Sequence, residues 1–403
     1  MPRFEPFAGV RYDLDRVDLD DVVAPPYDVI GPEDQAALES RSPFSVVRID
    51  LAREENGRDR YTTAGCRFDE WLAAGILRTD PEPGFYAYRM GYHDPDGNSR
   101  QIVGVLGALE VSAPGEGDVL PHEETQHKIR DDRLQLLRAC RTDLSPVWGL
   151  SMADGLTDLA TGAAGAPVAR CTDEEGVHHR MWRLTQPAVV EAITETVASA
   201  PVVIADGHHR YATALAHRDE VRAARGKGGG DEDLLLALVC ELTDGQASVR
   251  PIHRVIAGLP EGFDLVGALE PFFEPIAAAP PVTALPDRMA DAGGLGLVLS
   301  PDRLWVLVPR KDTDGADGES PPDAALLDEA LIALPAHALA FDHSVDSVCA
   351  TLASGQASAG VLLRPVDVRQ IADTARAGRR MPTKTTFFHP KPRTGMVFRR
   401  LSV

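Results

Sequence analysis

Lysine is nearly missing from this chain. Of its 41 basic residues five are lysines (Lys128, Lys227, Lys311, Lys384 and Lys391), and the rest are arginine. The two cations are not interchangeable, so lysine is expected where a compact ammonium matters, although five residues leave chance as an alternative. Cysteine is also scarce. Five thiols, none close to another in sequence, argue against a disulfide framework or a structural zinc site and make a reducing cytoplasm the default expectation. No run of 18 apolar residues occurs, so no membrane-spanning helix is expected. The opening MPRFEPFAGV has no apolar core of the secretory type. Positive charge is short overall: 41 basic against 61 acidic residues, net −20. That repels nucleic acid and anionic membranes except at a local basic site. What is present is 44% apolar and 25% charged residues in 403, enough for a packed core and for one large domain or two to three smaller ones.

The pattern along the chain mixes strands and helices. Val22 to Ile30 (VVAPPYDVI) reads as a strand entering a Pro-Pro turn, and Pro32 to Ser40 as a short helix. Phe44 to Leu51 (FSVVRIDL) reads as a strand, and Tyr61 to Ala74 as a helix. Phe85 to Tyr92 and Gln101 to Val111 flank DPDGNS as a hairpin. Asp131 or Asp132 would cap a helix running to about Cys140, and VWGL follows as a strand. Ala153 to Pro167 reads as a Gly/Ala-rich loop, His178 to Leu184 as a strand and Pro187 to Ser199 as a helix. Pro201 to Gly226 reads as a buried strand, a tight Asp-Gly turn and a helix. Leu234 to Leu242 and Ser248 to Ile256 flank TDGQ as a second hairpin, and KDTDGADGESPPD reads as a loop. No fixed-period repeat is visible.

Five segments could carry chemistry. The strongest is strand–Asp206-Gly207-His208-His209-Arg210–helix. A glycine at such a turn lets a ligand approach the backbone, and the helix start offers free N–H groups to an anion. Arg210 can fork onto phosphate, and Asp206 could bind magnesium or act as a base. The letters alone are weak, since His178-His179-Arg180 repeats them without the Asp-Gly turn. The second is Leu120 to Arg133, dense in His122, Glu123, Glu124, His127, Lys128, Asp131 and Arg133. A histidine beside a carboxylate suits acid–base work and Lys128 suits a phosphate, while a solvated polar loop is the plainer reading. The third is the PIHRV strand, where His253 and Arg254 fall on opposite faces, so at most one points to any given site. The fourth is the Pro-stiffened, basic MPTKTTFFHPKPRTG, with Lys384, Thr385, His389 and Lys391, against a basic tail that merely balances an acidic body. The fifth is Pro25-Pro26-Tyr27-Asp28, a rigid turn with Tyr27 and Asp28 at its tip. No Walker A, G-x-G-x-x-G or G-x-S-x-G pattern occurs.

APPYDVI, LPHEET, DRLQLLRA, ADGHHRYATAL, PIHRV and MPTKTTFFHPK, in this order, resemble the family of domain of unknown function 1015 over nearly the whole chain. VVIADGHHRYATA also resembles the strand–GHHR–helix signature of the ParB/sulfiredoxin-like superfamily. There free-serine kinases carry a similar element, ParB proteins bind CTP and sulfiredoxin uses ATP. The resemblance implies that Gly207, His208, His209 and Arg210 form a phosphate-contacting turn. No residue here aligns with the kinases' catalytic glutamate.

The expectations are therefore as follows. The fold is α+β: mixed sheets with a ParB/sulfiredoxin-like strand–DGHHR–helix element, long insertions and a C-terminal α/β extension. A catalytic and phosphate-binding region spans 1–258, and a C-terminal region spans 259–403 with its segment 381–395 folding back onto the site. The expected activity is a phosphotransferase with ATP or ADP, aided by Mg2+, acting on a small hydroxyl metabolite such as free serine. A phosphohydrolase of, for example, phosphoserine is the alternative, and a non-enzymatic nucleotide-binding regulator the second alternative. Catalytic candidates are His122, Glu123, Asp206 and His208. Phosphate or nucleotide contacts are Gly207, His209, Arg210, Lys128, Arg133, Lys384, Thr385 and Lys391. Substrate contacts are Tyr27, Asp28 and Arg254, and magnesium ligands are Glu123 and Asp206. The partner is a small phosphate or nucleotide ligand, not nucleic acid or membrane, and the oligomeric state is left open.

Overall fold

The computed structural model describes the chain except residues 95, 96, 114, 124, 126, 164, 227, 228, 244, 245, 247, 248, 311–320, 378, 380, 383 and 403. Glu124, Lys227, Lys311, the tips of both expected hairpins and most of the loop after Pro309 thus lie outside the described residues. Two compact units emerge: 1–248 with 375–378 and 390–403, and 249–374 with 379–389. Among the described residues no helix is long and apolar enough to cross a membrane.

The first unit is built on nine strands: β1 (Phe4–Glu5), β2 (Phe85–His93), β3 (Ser99–Glu110), β4 (Val119–Pro121), β5 (Val147–Ser151), β6 (Ala169–Thr172), β7 (His178–Leu184), β8 (Val202–Asp206) and β9 (Leu234–Glu241). They form one mixed sheet in the order β4-β8-β5-β9-β3-β2-β7-β6, with β1 on β3. The apolar run Val202-Val203-Ile204 is fully buried, as suits β-branched residues in a strand covered on both faces. Val202 and Ile204 join Val105, Val239 and the helix residues Ile193 and Val197 in one core. Two helices bear on the site: α1 (His127–Cys140) and α2 (His208–Arg225). The latter ends at Gly226, whose positive φ of 83° stops the helix.

The second unit is a six-stranded antiparallel sheet: β10 (His253–Ala257), β11 (Phe273–Ala278), β12 (Leu295–Ser300), β13 (Arg303–Pro309), β14 (Ala338–Asp342) and β15 (Ala359–Leu362). Its order is β11-β13-β12-β15-β10-β14. Alternate residues feed two cores. Ile256, Leu297 and Val361 meet α3 (Leu265–Leu269) and α5 (Asp323–Ile332). Val255, Val298 and Leu362 meet α4 (Leu285–Ala292) and α6 (Val345–Ala353) on the other face. Mixed and antiparallel sheets with packed helices make the fold α+β, as expected.

Five local expectations are corrected. VVAPPYDVI is not a strand: a helix ends at Val22 and Tyr27–Val29 is a single 3-10 turn. FSVVRIDL carries the short helix Val47–Asp50 instead of a strand. The helix expected from Asp131 or Asp132 begins at His127. The Gly/Ala-rich loop contains the helix Leu156–Thr161. The second hairpin does not form, because β9 pairs with β3 and β5, while Val249–Pro251 pairs with Thr386–Phe388.

Candidate functional site

Strand pairing assembles the site. β4 and β8 run parallel, with Pro121 opposite Ile204, so His122 and Asp206 leave neighbouring carboxyl ends. β5 runs antiparallel to β8, with Trp148 opposite Asp206, so Ser145 and Pro146 arrive at the same edge. Carboxyl edges of parallel strands are where ligands bind in α/β sheets. Gly207 then turns the chain with φ 90°, a value that costs any L-residue strain. A Cβ there would also lie 3.0 Å from the Arg210 guanidinium carbon. Helix α2 starts at once, with no side chain capping its first N–H groups.

Charge concentrates at this helix start. Asp206 accepts a hydrogen bond from Arg210 Nη2 at 2.9 Å on one oxygen and from Lys391 Nζ on the other. Arg210 Nη1 also donates to the Pro146 carbonyl and to Ser145 Oγ. Burial pushes the Asp206 carboxyl up, but Lys391 and Arg210 outweigh it and hold it at about 2. Lys391 is delivered by a closely fastened strap. Arg393 bonds Glu174 at 2.7 Å, and its backbone N–H donates to Tyr88 Oη at 3.2 Å. Thr394 exchanges backbone bonds with Ala24, Phe398 does so with Val10, and Arg399 donates to Asp143 and to the Leu234 carbonyl.

His122 is fully buried. Its Nδ1–H donates to the Ile204 carbonyl at 2.6 Å, which fixes the tautomer and leaves Nε2 as the lone-pair nitrogen. That Nε2 has no hydrogen-bond partner among the described residues. Burial takes the imidazole down to about 4, against the pull of Ile204 and Asp206. The His208 ring stands edge-on to it at 4.6 Å, and its Nε2 accepts from the His122 backbone N–H at 3.3 Å. His209 is half-buried on the first turn of α2, and Glu123 is half-buried just after β4.

On the other side of Arg210 lies a cavity of about 60 Å³ whose polar lining includes Tyr27, Asp50, Arg133, Ser145 and Arg210. The Arg133 guanidinium sits 4.3 Å over the Tyr27 ring. Its Nη1 donates to both the Asp50 carbonyl and Asp50 Oδ1 at 3.0 Å, and its Nε donates to Asp132 at 2.8 Å. Burial pushes the Tyr27 phenol up, and the charge of exposed Asp28 adds to this. Sequence reasoning missed Asp50, because the strand assigned to its segment hid the helix that carries it.

The structure thus brings together Asp206, Gly207, His208, Arg210, His122 and Lys391, and joins Tyr27 and Arg133 to them through Arg210. Lys128 is exposed on the first turn of α1 and does not line the cavity. Lys384, Thr385 and Arg254 belong to the second unit. There Arg254 is 1% exposed and donates to the Lys384 carbonyl at 3.0 Å and to the Ile252 carbonyl at 2.8 Å. Thr385 Oγ1 donates to the Pro382 carbonyl at 2.7 Å. A magnesium site held by Glu123 and Asp206 does not fit this arrangement, since both Asp206 oxygens face cations. Among the described residues no group of three or more His, Cys, Asp or Glu could hold a metal ion.

An antiparallel-sheet unit and a mixed-sheet unit with a buried charge cluster at a helix start define an α+β protein with a candidate anion site. The chain belongs to the family described as Protein of unknown function (DUF1015), whose model matches residues 4–332. No curated protein matches it in sequence. Solved structures similar to it include a free serine kinase in complex with AMP, at 11% identity and TM-score 0.38, covering 67% of this chain and 83% of that one. Another is a conserved hypothetical protein from Pyrococcus furiosus, at 12% identity and TM-score 0.36, covering 67% and 87%. A third is SbnI with C-terminal truncation from Staphylococcus aureus, at 12% identity and TM-score 0.39, covering 72% and 85%. These likenesses are distant.

Proposed function

We propose that the first unit grips the phosphate of a nucleotide at the 206–210 turn and passes a phosphoryl group to a small hydroxyl compound. The observation that carries this reading is Asp206 held between Arg210 and Lys391 at the start of α2. Two cationic side chains sharing one carboxylate leave a net positive charge at the positive end of a helix dipole, and a bound anion offsets it. Phosphoryl transfer needs such fixed positive charge more than it needs covalent chemistry. The nucleotide is suggested by the resemblance of ADGHHRYATA to the superfamily signature.

Within this reading Asp206, held at about 2, is too weak a base to take a proton at neutral pH and instead positions the two cations. The acceptor oxygen bonds to phosphorus as the bond to the leaving nucleoside diphosphate breaks. The hydroxyl proton passes to an oxygen of the transferred phosphoryl group, because His122, fully buried and taken down to about 4, is likewise too weak a base to hold it at neutral pH.

Calorimetry and thermal shift with ATP, ADP and inorganic phosphate test the binding. Wild type is expected to bind at least one. Lys391→Met should weaken that binding roughly tenfold or more and, by stripping the donor from one Asp206 oxygen, should cost about 1–3 kcal/mol of stability. No stabilisation by any of the three, or unchanged affinity in Lys391→Met, overturns the reading. ADP release that depends on an added hydroxyl compound marks transfer. Release without one marks a hydrolase, and binding without release marks a regulator.

A further inference from the structure

Strand β7 carries arginines on both of its faces, and they meet opposite surroundings. Arg183 lies among acids, 3.5 Å from Asp80 and 3.7 Å from Glu82. Arg180, on the other face, has an arginine on either side. The register sets it opposite Arg89 on β2 and opposite Arg170 on β6, and residues directly opposite in antiparallel strands share a face. Three arginines thus stand in a row across three strands. With strands about 4.8 Å apart, the row spans about 10 Å. Like charges directly opposite destabilise a sheet. The repulsion registers on Arg89, whose pKa is lowered by burial and further by the charge of Arg180. Arg89 is pinned in place nonetheless. Its guanidinium sits 4.4 Å over the Trp182 ring and donates to the Ala160 and Thr161 carbonyls at 3.2 and 2.7 Å.

Arg170 and Arg180 are exposed, and among the described residues neither pairs with a carboxylate. Thr172, His178 and Gly91, next along the strands on the same face, bring no negative charge. In a chain of net charge −20, a row of cations without an internal counter-ion is a place for an anion from outside. The span narrows its class. A lone phosphate or carboxylate answers one end of a row of about 10 Å and leaves the other unmet. Along an extended peptide, side chains on one side recur about every 6.8 Å, so two or three carboxylates on alternate residues cover the row. A nucleic acid fits less well: the acidic body repels a long polyanion. The indole on this face, Trp182, is also 8% exposed beneath Arg89 and so closed to a base.

We propose that the row Arg170, Arg180 and Arg89 docks an extended acidic peptide segment of a partner protein, whose carboxylates accept from the guanidinium forks. Charge complementarity selects the partner: it supplies the anions that this face of the sheet lacks. In the sheet order β2 lies four strands from β8, so the row is a separate place from the 206–210 turn and does not depend on the phosphotransferase reading.

Hexaglutamate, with free glutamate and a thymidine hexanucleotide as controls, tests it on the full chain by calorimetry at low salt. Hexaglutamate should bind saturably and more tightly than either control. The double variant Arg170→Gln, Arg180→Gln should reduce that affinity roughly tenfold. Its melting temperature should hold or rise, because both side chains are exposed and the change removes a repulsion. On the unaltered chain, saturating hexaglutamate should shield Arg170 and Arg180 from phenylglyoxal, read by mass spectrometry, which guards against a variant that folds poorly. Absence of saturable binding overturns the proposal, as does hexaglutamate affinity that ignores the double variant or is matched by free glutamate. Equal or tighter binding of the hexanucleotide, lost in the double variant, gives the row to nucleic acid and overturns the peptide assignment. Unshielded arginines at saturation place the peptide elsewhere and overturn it too.

Discussion

At residues 178–180 the tripeptide His-His-Arg runs along strand β7, and at 208–210 the same three residues open helix α2. In the strand the burial alternates: His178 is exposed, His179 is fully buried and Arg180 is exposed. His179 sits between Tyr88 Oη at 2.8 Å and Asp173 Oδ2 at 3.0 Å. Burial lowers its pKa against the pull of Asp173, so it is a neutral donor to the carboxylate that knits β7 to its neighbours. In the helix, successive residues turn by about 100°, and His208, His209 and Arg210 are all at least partly buried. There Arg210 meets Asp206 and Lys391 beside a first turn that starts from Gly207 with no side-chain cap. Identical letters thus give a structural joint in one place and a charged edge in the other. The residues before them decide: Gly207, with φ 90°, starts a helix, whereas Val177 follows a reverse turn into an extended strand.

Four substitutions put this contrast under strain. The largest effect is expected from His179→Ala, which leaves the buried Asp173 and Tyr88 oxygens each short of a partner. It should cost about 3–5 kcal/mol of stability in urea unfolding, and a loss below about 1 kcal/mol would deny β7 its structural joint. Next comes acid. His122, the ring partner of His208, titrates at about 4 instead of 6.5. Its contribution is complete above pH 6.5 and is lost as pH falls towards 4, which amounts to about 3 kcal/mol. His122→Asn should flatten the fall of melting temperature over that range, and an unaltered slope would contradict the buried neutral ring. The smallest effect is expected from Arg180→Ala, within about 0.5 kcal/mol and without influence on phosphate affinity. Arg210→Ala should cost about 1–3 kcal/mol, since it strips a donor from Asp206 and Pro146. Equal losses in the two variants would erase the distinction between the tripeptides.

Much of the site edge was legible because its signals are local. A run of β-branched residues, an Asp-Gly pair and a polar helix ending at Gly226 lie within one short stretch, and each states its own backbone preference. Asp50 was hidden for the opposite reason. Val46, Val47 and Ile49 favour strand by propensity, yet all three are buried, and the contacts around them hold a single helical turn. The early start of α1 was missed because His127 and Lys128 are exposed and carry no apolar period. Lys391 stood out in a basic, Pro-stiffened segment, but nothing in that segment names Asp206. That pairing is fixed by the strap's bonds to Ala24, Glu174 and Val10, all far away in sequence.

The ion pair between Lys391 and Asp206 joins residues 185 positions apart. On a ribosome adding roughly 5–20 residues per second, the lysine emerges about 10–40 s after the carboxylate. Through that interval Arg210 alone faces the aspartate. The nascent protein therefore carries the turn long before it can close the cation pair over it, and any anion held by both cations is captured only after this late segment has been translated and docked.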